Sequence, residues 1–200
     1  MKRGCLIGLI VAGVLVLVAI GVFSWGRKTY NGMVTMQESV TSQWGNVQTA
    51  YQRRSDLIPN FVNTVKGAAN FEQTTLTQVI EARAKATSVT IDPTKMTADN
   101  MQQFQAAQGQ LSSALARLMV VVEQYPELKA TQNFRDLQVE LEGTENRISV
   151  ERRKFNEVAQ TYNTNIKSFP QNILAGMFGF QQKPYFEASA GAEKAPEVKF

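Results

Sequence analysis

Two hundred residues suit one domain plus a short extra segment. Histidine is absent and Cys5 is the only cysteine, which removes the commonest general base and transition-metal ligand, any disulfide framework and any cysteine-based zinc site. Lys2, Arg3, Arg27 and Lys28 carry the whole formal charge of +4; the rest of the chain holds 17 basic and 17 acidic residues, so the basic patch that nucleic acid needs is not expected.

The first element is Gly4 to Gly26, an uncharged stretch bracketed by Lys2-Arg3 and Arg27-Lys28. As a helix it reaches roughly 35 Å, enough for a hydrocarbon core of about 30 Å. Leu6, Ile10, Leu15, Leu17, Ile20 and Phe23 are its lipid-facing anchors, and Trp25 belongs in the headgroup layer. A cleaved signal peptide is the rival reading, but the apolar run exceeds the usual h-region and no small-x-small site precedes a polar start. The expected partner of residues 1–28 is therefore a lipid bilayer. Gly4 and Gly8 have the spacing of a helix-pairing motif, which suggests dimerisation through the anchor. Cationic flanks on both sides leave the orientation open; the expectation is an N-terminus inside and the bulk outside the cytoplasm.

Beyond the anchor the pattern is helical. A three-four spacing selects Met33, Val40, Trp44, Val47, Tyr51, Arg54, Ile58, Phe61 and Val65, then runs on through Ala68, Glu72, Leu76 and Val79. Pro59 interrupts it, either as a kink in one long helix or as a break with a new cap at Ser55 or Asp56; the retained phase favours the kink. Thr87 to Asp99 reads as a connection, with Thr97 and Asp99 as cap candidates. A second seam of Met101, Phe104, Gln108, Leu111, Leu115, Leu118 and Val122 stops at Tyr125-Pro126. The third, from Phe134 through Thr144, Ile148, Glu151, Phe155 and Tyr162 to Phe169, stops at Pro170. The expected fold is all-α: an N-terminal transmembrane helix, then an antiparallel up-and-down bundle of long helices, three or, if broken at Pro59, four. The expected boundaries are 1–28 anchor, 29–170 bundle, 171–187 aromatic segment and 188–200 mobile tail.

No catalytic, cofactor or metal constellation stands out. Glu72 and Glu151 sit on seam positions, but a di-metal bundle also needs Glu-x-x-His motifs, and there is no histidine. The string Arg53-Arg54-Ser55-Asp56-Leu57-Ile58-Pro59-Asn60 is the most distinctive. Arg53, Arg54, Asp56 and Asn60 form a candidate partner surface; the simpler reading is that Asp56 caps or pairs while Ile58 packs. In the aromatic segment, Phe178, Phe180, Tyr185 and Phe186 are candidate bundle or protomer contacts.

These residues together resemble the LemA family. The likeness covers Tyr30-Asn31-x-Met33-Val34, Trp44, Arg53-Arg54-x-Asp56-Leu57-Ile58-Pro59-Asn60-Phe61-Val62-x-Thr64-Val65-Lys66, Tyr125-Pro126-x-Leu128-Lys129-Ala130, Thr144-Glu145-Asn146-Arg147-Ile148 and Tyr185-Phe186-Glu187. Ser55 and Phe61 stand where the pattern has an aromatic and a leucine. The resemblance implies a membrane helix and a helical bundle in the bacterial envelope, without an established catalytic activity. It also implies a relative in the membrane-organising machinery of magnetosome-forming bacteria, and gene neighbours such as a TPM-domain protein or a zinc metalloprotease. The expected function is a self-associating scaffold in the bacterial inner membrane, a homo-oligomer with its bundle on the periplasmic side. The alternative is an adaptor that recruits a membrane protease or other enzyme.

Overall fold

A computed structural model describes residues 3–67 and 72–187, with side chains from Leu6 onward. The helices are α1 (Arg3–Lys66), α2 (Gln73–Ser88), α3 (Ala98–Val122), α4 (Pro126–Lys129), α5 (Gln132–Lys167) and α6 (Gln171–Phe178). A 3₁₀ turn spans Pro93–Lys95, and no strand occurs among the described residues. The chain divides into two compact units, one of residues 1–39 with 160–182 and the other of 40–159 with 183–200.

The second unit is the bundle proper. The order of contacts between its helices fixes their directions. Along α1, Gln43, Arg54 and Phe61 meet Glu151, Glu145 and Phe134 of α5 in descending order, so the pair is antiparallel. Trp44 and Arg54 meet Phe104 and Ser112 of α3 in ascending order, so α1 and α3 run the same way. Arg83 of α2 donates to the Ser55 carbonyl, and α2 packs along α3. The result is the expected up-and-down bundle, with α1, α2, α3 and α5 as its long members.

The fourth helix arises at a different place from Pro59. Helix α1 runs through Pro59 without interruption and ends at Lys66. A proline inside a helix costs about 3 kcal/mol. Here it lies on the exposed side, while Ile58, Phe61, Val62 and Val65 around it are buried. Burying one such side chain contributes about 1.5–3 kcal/mol, so four outweigh the proline. The break comes at Gly67, whose N–H donates to the Asn63 carbonyl at 3.2 Å. Lys66 in the last turn and a glycine just after it are a helix-stop signal that the seam phase had masked. Ala68 of the expected seam lies outside the described residues.

The remaining boundaries follow local chemistry. Thr97 caps α3 through a capping box: its side chain accepts from the Asn100 N–H, and Asn100 Oδ1 accepts from the Thr97 N–H at 2.8 Å. Asp99 lies in the first turn of that helix. Pro126 opens the one-turn helix α4, where its missing N–H is no loss. Phe61, Val65, Val79, Leu111, Leu118 and Phe134 belong to one apolar cluster of the unit, and Trp44 packs its ring against Phe104, Phe155 and Phe186.

The first unit contains the apolar part of α1, the end of α5 and α6. Every described side chain from Leu6 to Trp25 is exposed, including Ile10, Leu15, Leu17, Ile20 and Phe23. This helix is long and apolar enough to cross a membrane. Met33, Tyr162, Ile166 and Ala175 are buried in this unit. Phe169, expected to close the third seam, is instead exposed, because α5 ends two residues earlier at Lys167. The proposed tail 188–200 lies outside the described residues.

Candidate functional site

Arg54 departs from the expected surface role. Its seam position on α1 turns it inward, and it is 1% exposed. A buried guanidinium is tolerated when its charge and most of its donors are met, and here all but Nε find partners. Nη1 donates to Glu145 Oε1 of α5 and to Ser112 Oγ of α3 at 2.9 Å. Nη2 donates to Gln108 Oε1 at 2.6 Å, and Gln108 Nε2 donates onward to the Ala86 carbonyl at the end of α2. The guanidinium also lies over the Tyr51 ring, 5.2 Å from its centroid. One side chain therefore ties all four long helices of the bundle. Burial raises the Tyr51 hydroxyl pKa above its usual value, despite Arg152 and Arg54 nearby.

The other members of the candidate partner surface remain outside. Arg53 is exposed and pairs with Glu140 at 2.6 Å. Asp56 accepts from Gln52 Nε2 at 2.7 Å, and Asn60 is exposed. These three line a shallow cleft with Glu140 and Leu57. Of the four candidate residues, Arg53, Asp56 and Asn60 share this exposed cleft, and Arg54 is turned away from it.

Beside Arg54 lies a larger cleft of about 1250 Å³, lined by Gln78, Gln105, Gln108, Ser112, Glu145 and Arg152 among others. Among the described residues no group of three acidic or cysteine side chains could hold a metal ion.

The two seam glutamates have separate surroundings. Glu72 is exposed just before α2. Glu151 is covered at 2% exposure, and accepts from Gln43 Nε2 at 2.7 Å and Arg147 Nε at 2.9 Å. The Gln43 hydrogen bond holds its carboxyl below the usual range, with Lys154 and Arg147 adding to it against the cost of burial.

The aromatic segment divides between the two units. In the bundle, Phe186 stacks on Trp44 at 6.0 Å and meets Phe155 edge-on at 5.5 Å. Asn156 clamps its backbone, donating to the Phe186 carbonyl and accepting from the Phe186 N–H. Arg152 covers the ring at 4.8 Å, and Lys183 Nζ donates to the Pro93 carbonyl at 3.0 Å. Tyr185 stays half-exposed. In the first unit, Phe178 and Phe180 meet Tyr30 edge-on at 4.9 and 5.6 Å. The contacts of Lys183, Asn156 and Gln43 were not legible in the sequence, because their partners are distant in the chain.

The profile of the LemA family matches residues 43–200. Magnetosome protein MamQ of Magnetospirillum gryphiswaldense is 30% identical over 180 residues, covering 81% of this chain and 66% of that protein. Magnetosome protein MamQ 2 of Paramagnetospirillum magneticum is 29% identical over 175 residues, covering 79% and 64%. Protein LemA of Metamycoplasma hominis is 26% identical over 176 residues, covering 86% and 76%. The chain thus spans just under two thirds of the length of the magnetosome relatives it matches. None of these names denotes an enzyme. The family match covers the bundle and its aromatic segment, and the chain belongs to the LemA family.

Proposed function

We propose that this chain is a single-pass membrane protein whose bundle serves as a non-catalytic, self-associating scaffold in the bacterial envelope. One observation carries the reading: α1 holds both the exposed apolar stretch 6–26 and the core residues Met33 to Val65 in a single unbroken helix. The magnetosome relatives support a role at a membrane. In this proposal the bundle lies on the periplasmic side of the inner membrane.

The test is the protein mass of the full-length chain in mild detergent, measured by light scattering across concentration. A defined assembly supports the scaffold; a monomer at high concentration ends it. The exposed Arg53–Glu140 cleft favours a second reading, an adaptor for a membrane protease or other enzyme. Arg53→Ala with Asn60→Ala is the proper probe, since Arg54→Ala would disrupt the interior. Partner capture that survives the pair with helicity intact argues against the adaptor.

A further inference from the structure

Helix α6 presents its apolar side outward. Within α6, Ile173 and Met177 are four residues apart and so share one face, and Phe169 lies in the turn just before the helix. Phe169 is 79% and Met177 72% exposed, and Ile173 and Phe178 are also exposed. The buried residue of the helix is the small Ala175. An amphipathic helix of a water-bounded unit has the reverse arrangement.

Two further observations say what covers this face. The first is position. Tyr30, four residues beyond Gly26 on α1, holds Phe178 and Phe180 in edge-on contact within the same unit. At about 1.5 Å per residue, Tyr30 lies roughly 6 Å past the apolar stretch. That is the depth of the headgroup layer, which takes up roughly 5–8 Å on each side of the hydrocarbon core. The second is charge. Arg27, Lys28 and Lys167 are exposed in this unit, and Glu38 is its only acidic residue among those described.

We infer that α6 and the turn before it lie in the headgroup layer of an anionic bilayer, with Phe169, Ile173, Met177 and Phe178 inserted beside the point where α1 leaves the membrane. The occupant of the apolar face is lipid rather than a second copy of the chain. Interfacial helices bury their apolar side by about 5–10 Å at this boundary. The chain then holds the bilayer at two places, a spanning helix and a flat one, and Tyr30 joins them. This rests on the reading that residues 6–26 cross the bilayer.

The experiment uses the full-length chain with Cys5→Ser, reconstituted in liposomes of mixed zwitterionic and anionic phospholipid. Met177→Cys carries an environment-sensitive fluorophore, and Ile173→Cys is a second site. A matched Leu15→Cys label reports the anchor. The expected result is loss of the 173 and 177 signals with nitroxides near the headgroup, a blue-shifted emission, and protection from aqueous iodide. Strong iodide quenching at 177 overturns the inference. So does protection from iodide without lipid quenching, which means a second copy covers the face. If Leu15 escapes deep-chain nitroxides, the anchor reading fails and the inference with it. If Leu15 is quenched and 177 is not, the inference alone fails.

Discussion

Arg54 and Glu145 form an ion pair of unequal exposure: the arginine side chain is 1% and the glutamate 46% exposed. The partners lie 91 residues apart in sequence, on α1 and α5. The half-exposed carboxylate keeps part of its hydration, while the guanidinium relies on protein for its partners. The two substitutions are therefore not equivalent.

Arg54→Ala leaves Gln108 and Ser112 without their donor and opens a cavity. Truncating a large buried side chain in this way costs about 2–5 kcal/mol. Glu145→Gln opens no cavity and keeps a hydrogen-bond acceptor, but it leaves the buried guanidinium without its counter-charge, which costs about 3–5 kcal/mol. Arg54→Met, of similar volume, removes the charge without opening the cavity and should cost less than either. Urea unfolding of the bundle, followed by helical circular dichroism in mild detergent, ranks the three. A negligible loss for Glu145→Gln would show that the guanidinium is satisfied without its counter-ion.

Glu151 gives the bundle a pH dependence. Its folded carboxyl titrates below the usual 4.5, chiefly because Gln43 donates to the charged form. A depressed carboxyl contributes stability that is fully present above the unfolded pKa. That stability is lost as pH falls through the lower folded value. The midpoint of unfolding should be flat near neutrality on this account and drop below about pH 4.5. In Glu151→Gln the drop should shrink. An unchanged acid limb in that variant assigns the titration to other carboxylates.

Phe186→Ala removes the ring shared by Trp44, Phe155 and Arg152, at a cost of about 3–5 kcal/mol. Hydrogen exchange should quicken at the Phe186 N–H, which Asn156 now protects. Tyr185→Ala, at a half-exposed ring, should have a smaller effect. If both variants behave alike, the segment 183–187 is not seated on the core in solution.

Thr97→Ala takes away the side-chain half of the α3 capping box and should cost about 1 kcal/mol. Asn100→Ala removes the reciprocal acceptor and should match it in part. Gly179→Ala tests a different helix end. Gly179 has a φ of 75°, and a Cβ there meets nothing within 4 Å. Its expected cost of about 1–2 kcal/mol is thus conformational. Gly179→Asn, which tolerates this backbone better, should recover part of it. A tolerated alanine would mean that the turn after α6 is not held in this form.

Local chemistry determined much of this protein. The uncharged run of residues 4–26, the helical spacing from Met33 to Val65, the cap at Thr97 and the stop at Pro126 are all readable within a few residues, because each depends on neighbours one turn away. Even Arg54 was on the inward seam by spacing. Its role was not legible, since that depends on Gln108, Ser112 and Glu145, which only folding brings together. The same holds for Glu151 with Gln43, and for Phe186 with Trp44. Pro59 shows the reverse: a strong local breaker is overridden where the flanking side chains are buried, and the helix yields at Gly67 instead. The aromatic segment read as one element, yet Phe178 and Phe180 join Tyr30 while Phe186 joins Trp44. Periodicity specifies which face of a helix is apolar. Which partner covers that face is decided by contacts across the chain, and those exist only in the tertiary structure.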